Sequence, residues 1–217
     1  MAKDYDGWNI FHCIYNTKLN HDDSVKDVYD TYIIFVVNKY KYGKIKNAYK
    51  KHAELTLIEK LSSLYPHNRP MHVDVYMNNS PCRDCALELL EFLEASRQTQ
   101  ITVYFANLYN IRRKSCIISM EKHVKKVEKN DDDQNSEGLR RLMDHKRCKL
   151  LPFNLPAWTE LYDIFGVQDP EFELNVDYTL MKAGKDRSRE KEDLLLLEDL
   201  DYIYLQEICK HDDVRVY

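Results

Sequence analysis

Strand-like and helix-like segments alternate along this chain, and the alternation limits the fold more than any other feature of the sequence. A β-branched and aromatic stretch from Tyr29 to Tyr40 predicts a buried strand. Further strands are predicted at residues 45–49, 71–77, 101–108 and 148–153. Apolar spacing or a turn signal predicts helices at residues 8–19, 53–64, from 80 onward, 137–145, 158–165 and 190–210. The pattern favours one α/β domain over residues 1–217, with helices packed on a sheet.

The composition excludes several classes of protein. Hydrophobic residues make up 44% of the chain, which is enough for a sizeable core and argues against wholesale disorder. The longest apolar run, Ile33 to Val37, is far shorter than the ~20 residues of a membrane-spanning helix. No cleavable apolar segment follows the first residues, and six cysteines are few for a secreted disulfide scaffold. We therefore expect an intracellular protein, cytoplasmic or nuclear, that does not enter a membrane.

Charge is distributed unevenly between the two ends of the chain. The formal net charge is −4, with +5 over residues 1–150 and −9 over residues 151–217. A basic face within the first part is compatible with a nucleic-acid partner. We predict a long charged surface loop at residues 110–136, with a short helix as the alternative within residues 121–136. We also predict an acidic C-terminal segment, residues 167–217, that ends in a helix. The leucines of that helix are expected to pack on the sheet, and a partner-binding or export helix is the alternative.

Two short motifs stand where predicted strands are followed by helices. His52-Ala53-Glu54 opens one helix, and Pro81-Cys82-Arg83-Asp84-Cys85 opens the next. Two cysteines three residues apart lie on the same side of a helical turn, and a helix N-terminus favours their thiolates. Together with His52 they form a three-ligand set for one Zn²⁺, which leaves a fourth position open for water. Glu54 is then placed to shuttle protons, not to bind the metal.

The order of the two motifs distinguishes between possible roles for the cysteines. His-x-Glu followed by Pro-Cys-x-x-Cys is a signature of zinc-dependent nucleobase deaminases. A redox-active Cys82–Cys85 pair would leave His52 and Glu54 unexplained. A closed structural zinc site would require a fourth ligand such as Cys116, Cys148 or His72. Such a site would also leave Glu54 without a role. The signature therefore predicts a single catalytic zinc.

Residues around the motifs match a known family. The matching residues are 80–86 with Phe92-Leu93, Thr31-Tyr32, residues 105–109, residues 137–142 and Trp158. On these residues the chain resembles the AID/APOBEC family of polynucleotide cytidine deaminases over roughly residues 29–166. The resemblance implies a cytidine-deaminase-like fold, with a five-stranded mixed sheet flanked by about six helices. It also implies one zinc ion and hydrolytic conversion of cytosine to uracil.

The resemblance assigns roles to individual residues. His52, Cys82 and Cys85 match the family's zinc ligands, and Glu54 matches its proton shuttle. The substrate-binding assignments are Asn47, Tyr109, Ala53 and Ser80. Asn47 matches an asparagine that hydrogen-bonds the target nucleotide, and Tyr109 matches an aromatic residue beside the flipped base. Helix capping by Ser80 is an alternative to its role at the base. The sequence departs from the family at Asn79, where a tryptophan usually gives the pocket an aromatic wall.

Basic residues interleaved with tyrosines suggest the kind of substrate. Lysines neutralise phosphates and aromatic rings stack on bases, a combination suited to single-stranded nucleic acid. The candidate nucleic-acid contacts are Lys44, Lys46, Lys50, Lys51, Arg112 and Arg113. The alternative for the lysine cluster is a solvated hairpin.

We therefore expect a deaminase of cytosine in single-stranded DNA, or in RNA. One alternative is a deaminase of free nucleotides such as dCMP, or of adenine in RNA. Another is an inactive, zinc-stabilised nucleic-acid-binding protein, which the presence of Glu54 disfavours.

Overall fold

The structure is a computed structural model that describes residues 6–15, 30–64, 69–111, 113–114, 129–166 and 187–212. Its strands are β1 (Tyr32–Val37), β2 (Lys41–Lys46), β3 (Met71–Met77), β4 (Thr99–Phe105) and β5 (Cys148–Pro152). Its helices are α1 (Asp6–Tyr15), α2 (Ala53–Leu64), α3 (Arg83–Ala95), α4 (Lys129–Asp144), α5 (Leu155–Gly166) and α6 (Arg187–Asp212). None of these described helices has the length and apolarity needed to cross a membrane.

The strands form one mixed sheet. Their order is β2-β1-β3-β4-β5. Strand β1 pairs antiparallel with both β2 and β3, whereas β3, β4 and β5 pair in parallel. The five-stranded mixed sheet and its six flanking helices confirm the predicted cytidine-deaminase-like α/β fold.

The side chains of each strand alternate between two apolar layers. In β3, Val73, Val75 and Met77 join the layer that includes residues of α2, α3, α4 and α6. Tyr76 joins the opposite layer, with α1 and α5. Trp158 on α5 stacks on Phe153 with ring centroids 3.8 Å apart and anchors this second layer. Successive side chains of β3 thus face opposite sides of the sheet.

Several predicted bounds differ from those observed. The second strand was expected at residues 45–49, but β2 ends at Lys46 because a tight turn closed by Ala48 and Lys51 follows. Residues 129–136 were expected in a charged loop, yet they form the first half of α4. Acidic residues in the first turn favour a helix N-terminus, and Asn135 and Ser136 are buried. The loop prediction is therefore wrong for that half of α4.

The start of α3 also differs from the prediction. The helix begins at Arg83 with Cys82 at the N-cap, and Ser80 lies before it. Ser80 therefore does not cap α3. Helix α4 packs closely on this turn, since a Cβ atom added to Gly138 would lie 2.8 Å from the Cα of Arg83. The backbone that carries both cysteines is thus held directly against α4.

Candidate active site

Three metal-ligating side chains meet at the N-terminal ends of α2 and α3. His52 immediately precedes α2, Cys82 is the N-cap of α3, and Cys85 lies in the first turn of α3. Their ligand atoms all lie within 4.8 Å of one another. The structure thus brings together the three residues that the sequence singled out as a metal site.

The geometry of the three donors fits zinc. Nδ1 of His52 lies 3.2 Å from Sγ of Cys85 and 3.5 Å from Sγ of Cys82. Tetrahedral zinc, with bonds of about 2.0 Å to nitrogen and 2.3 Å to sulfur, separates such atoms by about 3.6 Å. Cys148 and His72, which a closed structural site would have recruited, are not part of the cluster, and Cys116 is outside the described residues. Among the described residues, the donor set therefore has three members.

Electrostatics at the two cysteines favours one thiolate even before a metal is considered. A hydrogen bond between the two thiol groups lowers the pKa of Cys82 to about 5, and the nearby ring of His52 contributes to the decrease. The same hydrogen bond, together with burial, raises the pKa of Cys85. A bound divalent cation requires both sulfurs to be deprotonated, so its binding releases the remaining proton.

Glu54 lies beside the metal donors in the first turn of α2. Its side chain is buried, with 4% of the residue exposed. Burial raises the pKa of Glu54 to about 7, and the negative charge of Cys82 adds to this effect. A carboxyl group with such a pKa is able both to give and to accept a proton near neutral pH.

A small pocket, partly open to solvent, connects these groups. Its lining residues are Thr31, Asn47, His52, Glu54, Ser80, Cys82 and Tyr109. Asn47, Ser80 and Tyr109, which the sequence comparison with the family had assigned to substrate, thus share one pocket with the metal donors. Ala53 is fully buried and is not among the lining residues.

Thr31 and Asn47 form one edge of the pocket. The backbone N–H of Asn47 donates to the carbonyl of Thr31 at 3.0 Å, and the N–H of Thr31 donates to Oδ1 of Asn47 at 2.9 Å. Asn78 holds the adjacent start of β1, accepting from the N–H of Tyr32 at 2.8 Å. Thr31 was not selected as a site residue from the sequence. Its signal was its place directly before the first strand and within the family match.

Ser80 connects the turn before α3 to the segment that carries Tyr109. Its hydroxyl oxygen accepts a hydrogen bond from the N–H of Tyr109 at 3.0 Å. Its own N–H donates to the carbonyl of Asn107 at 2.7 Å. Asn79 is also engaged, because its Oδ1 accepts from Nδ2 of Asn107 at 2.9 Å. Ser80 therefore positions Tyr109 at the pocket, which explains its burial better than capping does.

The predicted nucleic-acid contacts occupy different environments. Lys46 pairs with Asp30 at 2.8 Å, and Lys51 pairs with Glu59 at 2.5 Å. Lys44 lies over the ring of Phe165, with Nζ 6.0 Å from its centroid. The ammonium group of Lys50 lies 5.3 Å from the ring centroid of Tyr49.

Arg113 is a correction to the predicted set. Its side chain is 3% exposed and pairs with Asp199 and Glu192, so it does not face a solvent-borne phosphate. The sequence-based prediction missed this because a run of basic residues is usually solvated. Arg112 is outside the described residues.

The chain is similar to known proteins. A family model described as APOBEC3, cytosine deaminase domain, matches residues 9–171. The curated protein DNA dC->dU-editing enzyme APOBEC-3H from Macaca mulatta is 35% identical over 68 residues. That alignment covers 31% of this chain and 32% of the relative, so the chain spans about a third of the relative's length.

Proposed function

Since this chain belongs to the family of APOBEC3 cytosine deaminase domains, we propose that it deaminates cytosine to uracil in single-stranded DNA with zinc as its cofactor. The observation that carries the proposal is the presence of Glu54 in one pocket with the donors His52, Cys82 and Cys85. The name of the relative APOBEC-3H describes conversion of dC to dU in DNA. This favours DNA over RNA as the substrate.

Different residues of the chain perform different steps of a hydrolytic deamination. Zinc held by Nδ1 of His52 and the sulfurs of Cys82 and Cys85 would supply Lewis-acid activation of water. The carboxylate of Glu54 takes a proton from the attacking water and passes it to N3 of the cytosine ring. It then takes the second proton of that oxygen and passes it to the exocyclic amino group, which leaves C4 as ammonia. Burial of Glu54 keeps bulk water from competing for these protons.

The walls of the pocket orient the base. The ring of Tyr109, 36% exposed at the pocket, stacks beside a flipped base. The linked pair Thr31 and Asn47 also lines the pocket and binds the target nucleotide through polar contacts. Ser80 lies in the turn before the zinc-ligating cysteines and accepts a hydrogen bond from Tyr109. It therefore fixes the position of Tyr109 relative to the metal ligands.

A polymer is favoured over a free nucleotide by the turn between Asn47 and His52. Tyr49 and Lys50 lie at its tip, and Tyr49 is 89% exposed. An exposed aromatic ring with an ammonium group beside it suits stacking of a base and contact with a phosphate. Because this turn joins two pocket residues, a strand that enters the pocket passes over Tyr49.

The test is direct. The zinc-loaded protein is incubated with dCMP and with single-stranded DNA, single-stranded RNA and duplex DNA, each prepared with either cytosine or adenine as the target base. Products are identified by mass spectrometry. We expect uracil from single-stranded DNA. The Glu54→Gln variant is expected to keep its zinc and to lose activity by at least about 100-fold.

Other products would contradict the proposal in identifiable ways. Conversion of dCMP but of no oligonucleotide would indicate a free-nucleotide deaminase, and inosine in RNA would indicate an adenine deaminase. Equal binding of single strands by the wild type and Glu54→Gln, without any product, would indicate a nucleic-acid-binding protein.

A further inference from the structure

The acidic C-terminal helix α6 lies beyond the residues that match the family model, which end at 171. Three of its apolar side chains join the core layer of α2, α3 and α4, namely Leu196, Leu200 and Ile203. Several of its charged side chains, however, are buried: Arg189, Asp193 and Asp199 are each less than 7% exposed. Charged groups are almost never buried unless they are paired, so the partners of these three residues reveal what the helix holds.

The first buried ion pair joins α6 to Arg113. Nε of Arg113 donates to Oδ2 of Asp199 at 2.7 Å, and Nη1 of Arg113 donates to Oε1 of Glu192. The side chains of Arg113 and Asp199 are only 3% and 2% exposed. A guanidinium group fixed by two carboxylates allows little movement, since each N–H has a set direction. Helix α6 therefore fixes the chain at Arg113.

The second buried contact joins α6 to Ala106. Nη2 of Arg189 donates to the carbonyl of Ala106 at 3.2 Å. Asp193 orients Arg189, accepting from its Nε at 2.9 Å, and Trp158 Nε1 donates to the same carboxylate at 2.8 Å. Arg189 is 1% exposed, so no water competes for these bonds. Ala106 directly follows β4.

The two contacts enclose the segment that carries Tyr109. Ala106 is its first residue after the strand, and Arg113 lies four residues beyond Tyr109. Between them, Tyr109 is held by Ser80, and Asn110 has a positive φ of 47° that turns the chain. Residues at both ends of this segment are thus bound by one helix, and none of the described side chains of that helix lines the pocket.

We propose that α6 is a positioning element for substrate, in which Arg113 and Arg189 hold the segment from Ala106 to Arg113 so that Tyr109 faces the target base. The proposal rests on the proposed function for the identity of the substrate. Arg113 and Arg189 are positioning residues, because they act on the base only through Tyr109. Loosening the segment weakens binding of the base before and during the reaction alike, which raises KM and leaves kcat nearly unchanged.

The test replaces the whole Arg113 ion pair by apolar side chains of similar size. Apolar replacement of all members of a buried ion pair often preserves folding, whereas removal of one member leaves a buried charge. The triple variant Arg113→Met, Glu192→Met, Asp199→Leu is therefore compared with the wild type by thermal unfolding, zinc content and hydrogen exchange of residues 106–111. We expect faster exchange in that segment, unchanged exchange in β3, and a KM for a single-stranded oligonucleotide raised about tenfold.

Arg147→Met serves as the matched control. Arg147 also bridges elements through its guanidinium group, donating to the carbonyls of Leu93 and Ser96 at 2.5 Å and 2.9 Å, but at the C-terminal end of α3. This variant is expected to lower the melting temperature without a change in the exchange of residues 106–111 or in KM. An Arg113→Lys variant keeps the charge but loses the two-pronged geometry. We expect its melting temperature to stay close to that of the wild type, while its KM is raised.

The outcomes separate this proposal from the proposed function. Unchanged exchange in residues 106–111 of the folded triple variant overturns the positioning role, whatever the enzyme does. Faster exchange with an unchanged KM overturns it as well, since the segment would then be loose without consequence for substrate. Failure of the wild type to deaminate any base refutes the proposed function, and binding of the oligonucleotide, measured by fluorescence anisotropy, then replaces KM as the deciding quantity.

Discussion

The side-chain oxygen of Asn135 accepts a hydrogen bond from the backbone N–H of Arg83 at 2.9 Å. Arg83 is the first residue of α3, directly after Cys82. Cys82 makes no side-chain cap of its own, so a residue of α4 satisfies a backbone donor that the start of the helix would otherwise leave unpaired. The amide of Asn135 also donates to the carbonyl of Asn110 at 3.4 Å, next to Tyr109. One buried asparagine thus connects the turn that carries Cys82 to the segment that carries Tyr109.

Asn135→Ala is expected to weaken both the fold and the metal site. Loss of a capping hydrogen bond costs about 1 kcal/mol of unfolding free energy. Because the lost bond orients the turn that carries Cys82, we expect zinc affinity to fall about tenfold, the lower end of the effect seen for groups that orient metal ligands. Denaturant unfolding and competition with a zinc-binding dye measure the two quantities.

Asn135→Asp is the matched control, since it keeps an oxygen acceptor for the N–H of Arg83 and loses only the donor to Asn110. It should retain most of the unfolding free energy that the alanine variant loses. Equal zinc affinity in the wild type and Asn135→Ala would show that the hydrogen bond does not orient the metal site.

The elements that local pattern determines were predictable from the sequence. Helix α2, Ala53–Leu64, and strand β3, Met71–Met77, have the predicted bounds because their apolar periodicity is read within a dozen residues. The donors His52, Cys82 and Cys85 were recognisable because each lies at a helix start and their spacing is itself the signal.

The supporting contacts were not predictable, for a physical reason. Asn135 bonds a residue 52 positions away, and Arg113 pairs with one 86 positions away. In the sequence both stand among charged neighbours, and such residues are solvated unless a distant partner buries them. Thr31 likewise contacts its pocket neighbour Asn47, 16 positions away, only because the β1–β2 hairpin brings the two together.

Gly138→Ala tests how closely α4 must approach the turn that carries Cys82 and Cys85. Alanine improves helix propensity by about 1 kcal/mol. Its Cβ, however, would lie 2.8 Å from the Cα of Arg83, a backbone atom that moves only with α3. Overpacking of this kind costs about 1–3 kcal/mol, so we expect a net loss of unfolding free energy and weaker zinc binding. Exposed Glu137→Ala, one residue earlier, should change the unfolding free energy by less than about 0.5 kcal/mol. A Gly138→Ala variant more stable than the wild type would contradict the close packing.

Removal of zinc is expected to expose thiols selectively. With zinc bound, Cys82 and Cys85 are protected from an alkylating reagent. After chelation, Cys82 should react before Cys85 and Cys148, because Cys82 is partly exposed whereas those two are buried. Mass spectrometry of the alkylated peptides distinguishes the cysteines from one another. The melting temperature should fall at the same time, because a ligand that binds only the folded state stabilises it. Labelling of Cys82 at the same rate before and after chelation would rule out its role as a ligand.

Tyr49 and Lys50 are expected to contribute to binding of single strands, whereas Tyr40 and Lys39 are not. Tyr40 is 95% exposed, like Tyr49 at 89%, but it lies at the opposite end of the β1–β2 hairpin. Strands of six residues place the two ends about 20 Å apart. We expect Tyr49→Ala to cost about 1–3 kcal/mol of binding free energy. We expect Lys50→Ala to reduce the slope of log affinity against log salt by about 1.

The control pair Tyr40→Ala and Lys39→Ala should leave the affinity and the salt slope unchanged. Fluorescence anisotropy at several salt concentrations measures both quantities. Equal losses at the two ends of the hairpin would show that binding is not directed to the pocket end.

Cys148 predicts a specific decline in stability at alkaline pH. Burial raises the pKa of the Cys148 thiol from 9.0 to about 12. Because the folded chain holds this proton more tightly than the unfolded chain, the thiol's contribution is fully present below pH 9 and is lost as the pH rises toward 12. At pH 10 the loss amounts to roughly 1 kcal/mol. Urea unfolding at pH 8 and pH 10 measures it.

The Cys148→Ala variant starts from a lower stability, since it leaves a small cavity, but its unfolding free energy should fall by roughly 1 kcal/mol less between the two pH values. Buried tyrosines titrate in both proteins and cancel in the difference, so an identical decline in the wild type and the variant would exclude Cys148 as the source.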